Sequence, residues 1–208
     1  MYKLYWAADS GALAPQIILE EAAVDYERCA VDLDQGEEME AAFLAINPRG
    51  QVPALVLEDG TVLTESGAML LHIADSNPAA ELLPPLGSRE RALVYRWLFY
   101  AAANLYEGVL RYYYSDRYTT VAEQADQVRD AAAGYIDHAW SQVEDAIAEG
   151  PYFLGQAYSV LDPYLLMLSN WHEKPEELFA ANPKLQRLCA TVRARAAVER
   201  IWSLHFPQ

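Results

Sequence analysis

Asn47-Pro48-Arg49-Gly50-Gln51-Val52-Pro53-Ala54-Leu55 is the stretch from which the fold can be read. Pro48 and Gly50 both stop helices, so a helical segment expected over 37–44 ends here. Pro53 then opens a strand. Proline has no N–H for a ladder and is excluded from the middle of a sheet. One that opens a strand after such a turn can sit at a cis corner. Val52 would then turn its backbone N–H and C=O outward, where an extended peptide could pair as an added strand. The alternative is an ordinary trans-proline turn.

Downstream, Pro53 to Leu57, a turn at Glu58-Asp59-Gly60-Thr61 and Val62-Leu63 predict a hairpin, Asp-Gly being a strong turn signal. Thr64-Glu65-Ser66-Gly67 follows and opens a helix over 66–75. Ser66 suits the cap or first turn of that helix. Exposed N–H groups and the positive dipole end bind carboxylates, and Glu65 can pair with an amine. Plain capping is the alternative. The two motifs are 11 residues apart and joined by one hairpin, so they should be neighbours. One suits a peptide backbone and the other an α-amino acid head, and a γ-glutamyl tripeptide has both.

Upstream, Leu4-Tyr5-Trp6 reads as a strand, 14–23 as a helix and 26–33 as a second strand. Residues 1–76 therefore give the order βαβαββα. Residues 77–88 contain three prolines and a glycine and read as a linker. Residues 89–208 show helical periodicity throughout, with helices expected over 89–115, 121–148, 161–172, 176–180 and 184–195. The fold class is an α/β N-terminal domain followed by an all-α domain.

Composition narrows the function. A hydrophobic content of 53% over 208 residues supports a sizeable core. No apolar run approaches the roughly 18–20 residues that span a bilayer, and Met1 to Trp6 reads as a strand rather than a signal peptide. The expectation is a cytoplasmic protein. The net charge of −15 argues against nucleic acid or an anionic membrane as partner. An anionic ligand would need local donors. Cys29 and Cys189 form no C-x-x-C pair and read as reduced thiols, and the four histidines lack ligand spacing, so no metal is expected.

Lys3-Leu4-Tyr5-Trp6, Leu13-Ala14-Pro15, the run from Phe43 to Leu55 and Thr64-Glu65-Ser66 together resemble the N-terminal domain of bacterial cytosolic glutathione transferases, nearest the beta class. The resemblance covers nearly the whole chain. It implies a thioredoxin-like domain, an all-helical domain, a homodimer and a detoxifying transferase. Glutathione would be the co-substrate, held by Gln51, Val52, Pro53, Glu65 and Ser66, with a small-molecule electrophile as second partner. Ser159-x-x-Asp162 resembles the family's buried capping box and reads as structural.

The chemistry requires a thiolate, whereas a free thiol titrates at about 8.5. Lowering that by two units takes about 2.7 kcal/mol. The natural donor lies in the loop after the first strand, Ala7 to Ala12, where the beta class carries a cysteine. The matching position here is Gly11, so chemistry through a protein thiol is not expected. Ser10 is the substitute, because serine-type classes place a hydroxyl in this loop. Capping of the first helix is its alternative role. Tyr5 and Tyr106 are the other candidates. Tyr106-Glu107 stands where the beta class usually carries His-Lys, and Glu107 is expected to face solvent. Tyr106, Tyr113 and Trp171 are candidates for an apolar co-substrate pocket. A glutathione-binding scaffold, or a glutathione-dependent reductase of peroxides or disulfides, is the competing reading.

Overall fold

Alternation decides the first strand, β1 (Tyr2–Trp6), in which Leu4 is fully buried while its neighbours are partly exposed. β1 lies inside a four-stranded sheet with β2 (Tyr26–Ala30), β3 (Ala54–Val56) and β4 (Val62–Leu63), ordered β2-β1-β3-β4. β1 runs parallel to β2 and antiparallel to β3, with Leu4 facing Leu55, and β4 is antiparallel to β3. A computed structural model describes residues 1–207.

The parallel pair needs a crossover, supplied by α1 (Leu13–Glu21), whose residues Leu13 to Leu19 are all buried. α2 (Ala41–Leu44) and α3 (Ser66–Ser76) complete the order βαβαββα of a thioredoxin-like fold. The helix expected over 37–44 is broken. A 3-10 turn covers Glu37–Met39, Glu40 is extended, and only the short α2 follows. Phe43 alone is buried in this stretch, so no apolar stripe exists to hold a longer helix. The hairpin pairing stops at Val56 and Val62, leaving a longer connection than Asp-Gly suggested, closed by Leu57 N–H to Thr61 O at 2.8 Å.

The chain divides into two units: Met1–Leu83 together with the chain from Arg193 on, and Pro84–Val192. The division follows from a helix the sequence reading did not find, Ala196–His205, which packs on α1. The second unit contains α4 (Arg89–Tyr100), a π-helical stretch Ala101–Tyr106, α5 (Glu107–Tyr113), α6 (Ala125–Ala146), α7 (Leu161–Asn170) and α8 (Pro175–Ala181). α9 (Pro183–Arg193) and α10 (Ala196–His205) follow. The helix expected over 89–115 is thus widened in its middle. Asn104 Nδ2 donates to the Tyr100 carbonyl at 2.9 Å and inserts into the ladder. α5 and α6 meet closely at Gly108, where a Cβ would lie 2.8 Å from Ile136 Cγ1. No helix among the described residues is long and apolar enough to cross a membrane.

Two buried polar groups anchor these units. In the second, Asp162 is fully buried at the start of α7. Its carboxylate accepts Phe153 N–H and Ser159 N–H, both at 2.7 Å, and the Ser159 hydroxyl at 3.1 Å. Burial pushes its carboxyl up to about 6, opposed by these donors. Asp162→Ala strands buried N–H groups at about 1–3 kcal/mol each. The expected loss, on the order of 3 kcal/mol or roughly 6–12 °C in Tm, is read by calorimetry. An unchanged Tm would refute the capping role.

In the first unit, His205 Nε2 bonds Gln16 Oε1 at 2.6 Å, and its ring packs on Trp6 at 5.1 Å. Nδ1 is buried without a partner, so a second proton there would be an unsatisfied donor. Burial accordingly lowers the His205 pKa to about 4. The stability from neutral His205 is complete above its unfolded value of about 6.5 and is lost as pH falls through about 4. His205→Phe keeps the ring packing, strands Gln16 Oε1 and should cost about 1–3 kcal/mol at pH 7. The Tm gap to wild type should close between pH 7 and pH 4. A gap independent of pH would show that His205 does not titrate as described.

Candidate functional site

Three loops converge at one end of the sheet: 7–12 after β1, 47–53 before β3, and 64–66 after β4. The Val52–Pro53 peptide bond is cis, and Pro53 is buried where β3 begins. Among the described residues, neither the N–H nor the C=O of Val52 has a hydrogen-bond partner. Gln51 is exposed, and its carbonyl accepts Asn47 Nδ2 at 2.6 Å. Gly50 sits at φ +58°, and a Cβ there would lie 2.7 Å from Met39 Sδ and 3.1 Å from the Glu38 carbonyl.

Glu65, at φ 63°, precedes α3, and its carboxylate is exposed. It meets Arg49 Nη1 at 3.5 Å, which brings the loop before β3 and the loop after β4 together. Ser66 occupies the first turn of α3 rather than the cap. Its buried hydroxyl donates to the Gly11 carbonyl at 2.8 Å and joins the third loop. Among the described residues, the N–H groups of Ser66 and Gly67 take no protein acceptor, as helix starts dictate. This end of the unit therefore offers a free peptide edge at Val52, a carboxylate at Glu65 and helix N–H groups beside it. An extended zwitterionic peptide complements all three.

Ser10 is buried in the loop before α1. Its hydroxyl donates to the Ala7 carbonyl at 2.7 Å and accepts Ala12 N–H at 3.3 Å. Tyr5 packs edge-on against Phe43 at 5.8 Å, and burial raises its phenol. In the second unit, Tyr106 ends the π-helical stretch and meets Trp171 edge-on at 5.3 Å. Tyr113 is exposed and packs edge-on against Tyr112. Glu107 is half-buried and pairs with Arg111 at 3.5 Å one turn on. Among the described residues no group of three or more His, Cys, Asp or Glu could hold a metal ion.

The sequence reading took Asn47, Arg49 and Gly50 only as part of the turn that ends a helix, not as residues that shape the site. Asparagine two residues before an N–H and four before a carbonyl was the available signal, since its amide can bridge both.

Residues 1–75 match the glutathione S-transferase N-terminal domain. Glutathione S-transferase GstA of Escherichia coli O157:H7 is 33% identical over 174 residues, which are 81% of each chain. A glutathione transferase homolog from Sulfitobacter, solved with bound glutathione, is 32% identical with a TM-score of 0.90, covering 97% of this chain and 96% of that one. The disulfide-bond oxidoreductase YfcG of Escherichia coli is 35% identical over 111 residues, half of each chain. The chain belongs to the glutathione S-transferase family.

The positive φ of Gly50 supplies a test of the loop. Gly50→Ala places a side chain in a left-handed conformation, at about 1–2 kcal/mol. Tm should fall by roughly 2–8 °C in a scan of the variant. A variant as stable as wild type would mean that the loop adopts another conformation.

Proposed function

We propose that this chain binds glutathione through residues 1–76 and transfers it, as the thiolate, to a small apolar electrophile. The observation that carries the reading is the unpaired Val52 backbone beside Glu65 and Ser66, joined by the Arg49–Glu65 contact. The cysteinyl part of glutathione pairs with Val52, next to Gln51 and Pro53. Its γ-glutamyl carboxylate lies on Ser66 and the start of α3, and its ammonium on Glu65. On the helical unit, Tyr106 and Trp171 form the core of the proposed surface for the apolar co-substrate, with Tyr113 two turns further along α5. Family membership supports a homodimer, which a monomeric mass in light scattering would exclude.

Ser10 is the proposed donor to sulfur. Its hydroxyl now donates to the Ala7 carbonyl. A thiolate is the stronger acceptor, so turning the hydroxyl towards it exchanges a neutral hydrogen bond of about 1 kcal/mol for a charge-assisted one. The protein supplies proximity and thiolate stabilisation rather than a covalent intermediate.

Calorimetric titration should show glutathione binding, weakened at least tenfold in Glu65→Ala as a charge-assisted bond is lost. Equal affinity would exclude Glu65 from the site. Ser10→Ala should lower kcat/KM for conjugation of an aryl halide about tenfold or more and raise the pKa in its pH–rate profile. An unchanged profile would remove Ser10 and favour the helix N–H groups alone.

The likeness to a disulfide-bond oxidoreductase favours a second reading, in which two glutathiones are oxidised to their disulfide as one substrate disulfide is reduced to two thiols. Turnover of a small disulfide without conjugation of any aryl halide would select it. Binding with neither reaction would select a scaffold.

A further inference from the structure

We propose that Asn47 is a positioning residue of the glutathione site, aiming the Val52 N–H at the bound tripeptide. The proposal rests on the reading of Val52 as the peptide-pairing residue.

Asn47 is 3% exposed. All its polar groups are used locally. Its own N–H donates to the Phe43 carbonyl and its own carbonyl accepts Gly50 N–H, both at 2.9 Å. The side-chain oxygen accepts Arg49 N–H at 3.2 Å, and Nδ2 donates to the Gln51 carbonyl at 2.6 Å. The orientation of the amide is dictated, because a backbone N–H only donates and a backbone carbonyl only accepts.

The bond to Gln51 matters for the site through the planarity of the peptide unit. The Gln51 carbonyl and the Val52 N–H belong to one trans peptide, in which the two groups point in opposite directions. A side chain that fixes the carbonyl on the buried side therefore fixes the N–H on the open side. Nothing else nearby does so. Pro48, Arg49 and Gln51 are exposed, and the next buried residue is Pro53. Phe43, at 5% exposure, anchors the end of α2, and Asn47 carries that anchor across the loop. No other side chain meets both demands at this reach. Aspartate accepts but does not donate, serine is too short, and glutamine is one methylene too long.

The test measures the glutathione Kd by titration, and Tm, for wild type, Asn47→Ala, Asn47→Asp and Asn77→Ala. Asn77 makes a comparable bond, Nδ2 to the Ile73 carbonyl at 2.8 Å, at the far end of α3. Loss of one aimed hydrogen bond should raise Kd about tenfold in N47A. N47D keeps the acceptor for Arg49 N–H but loses the donor to Gln51, so its Kd should rise at least as far. N77A should bind like wild type despite a similar loss of Tm. Where conjugation is measurable, N47A should raise KM for glutathione with kcat within about twofold, since uniform binding is what is lost. Should N47A fail to fold, N47D carries the same comparison. Wild-type affinity in N47A or N47D overturns the positioning role and leaves the site standing, and so does weakening in N77A equal to that in N47A. A wild-type protein that does not bind glutathione overturns both.

Discussion

The hydrogen bond from Ser66 Oγ to the Gly11 carbonyl ties together two helix starts that are 55 residues apart. Both partners are buried, so neither can turn to water, and a broken bond would strand a carbonyl at about 1–3 kcal/mol. Sheet topology makes this bond possible. β1 ends, β3 begins and β4 ends at the same edge, because β3 is antiparallel to both neighbours. The three loops that emerge there have little apolar surface of their own. They are held by polar links instead: Ser66 to Gly11, Arg49 to Glu65, and the amide of Asn47 within its loop. A site built this way presents backbone groups to a ligand, and backbone groups are what an extended peptide recognises.

What could be read in the sequence follows the range of the forces involved. β1, α1 and the β3–β4 hairpin are set by local patterns, and each was found within a few residues. The segment 37–44 misled because its residues favour a helix while burying almost nothing. Helix propensity without a packed face sustains only a turn. α10 was missed for the opposite reason. Its buried stripe, Ala197, Val198, Ile201 and His205, has helical spacing but ends on a histidine that hydropathy counts as polar. The partner that makes His205 apolar in effect, Gln16 on α1, is 189 residues away. No window of sequence contains both.

At the candidate site the same division holds. The cis corner was legible because proline leaves few alternatives at the start of a strand. Glu65 and Ser66 were legible as a helix start. The link between them was not, since Arg49 and Glu65 meet only after the hairpin folds. The aromatic candidates show the limit most clearly. Residues on one helix point about 100° apart at each step, and the widened turn at 101–106 shifts the phase of α5 relative to α4. Tyr106 and Trp171 come together while Tyr113 turns to Tyr112.

Binding and chemistry depend on different kinds of group in this family member. The proposed tripeptide frame uses mainly backbone N–H and C=O groups, which survive most substitutions as long as Gly50, Pro53 and the loop geometry are kept. Thiolate stabilisation, in the proposed mechanism, rests on a side chain, and side chains change singly. Gly11 has no thiol to offer, and the acid at Glu107 is compensated by Arg111 one turn away rather than standing as an open charge. In the proposed reading the group left to hold a thiolate is the hydroxyl of Ser10, because the Ala12 and Leu13 N–H groups already donate to Ser10. Ser10 already touches both ends of its own loop, at Ala7 and Ala12. In the proposed mechanism the hydroxyl that shapes the loop is also the one the sulfur recruits, so that structure and catalysis compete for a single proton.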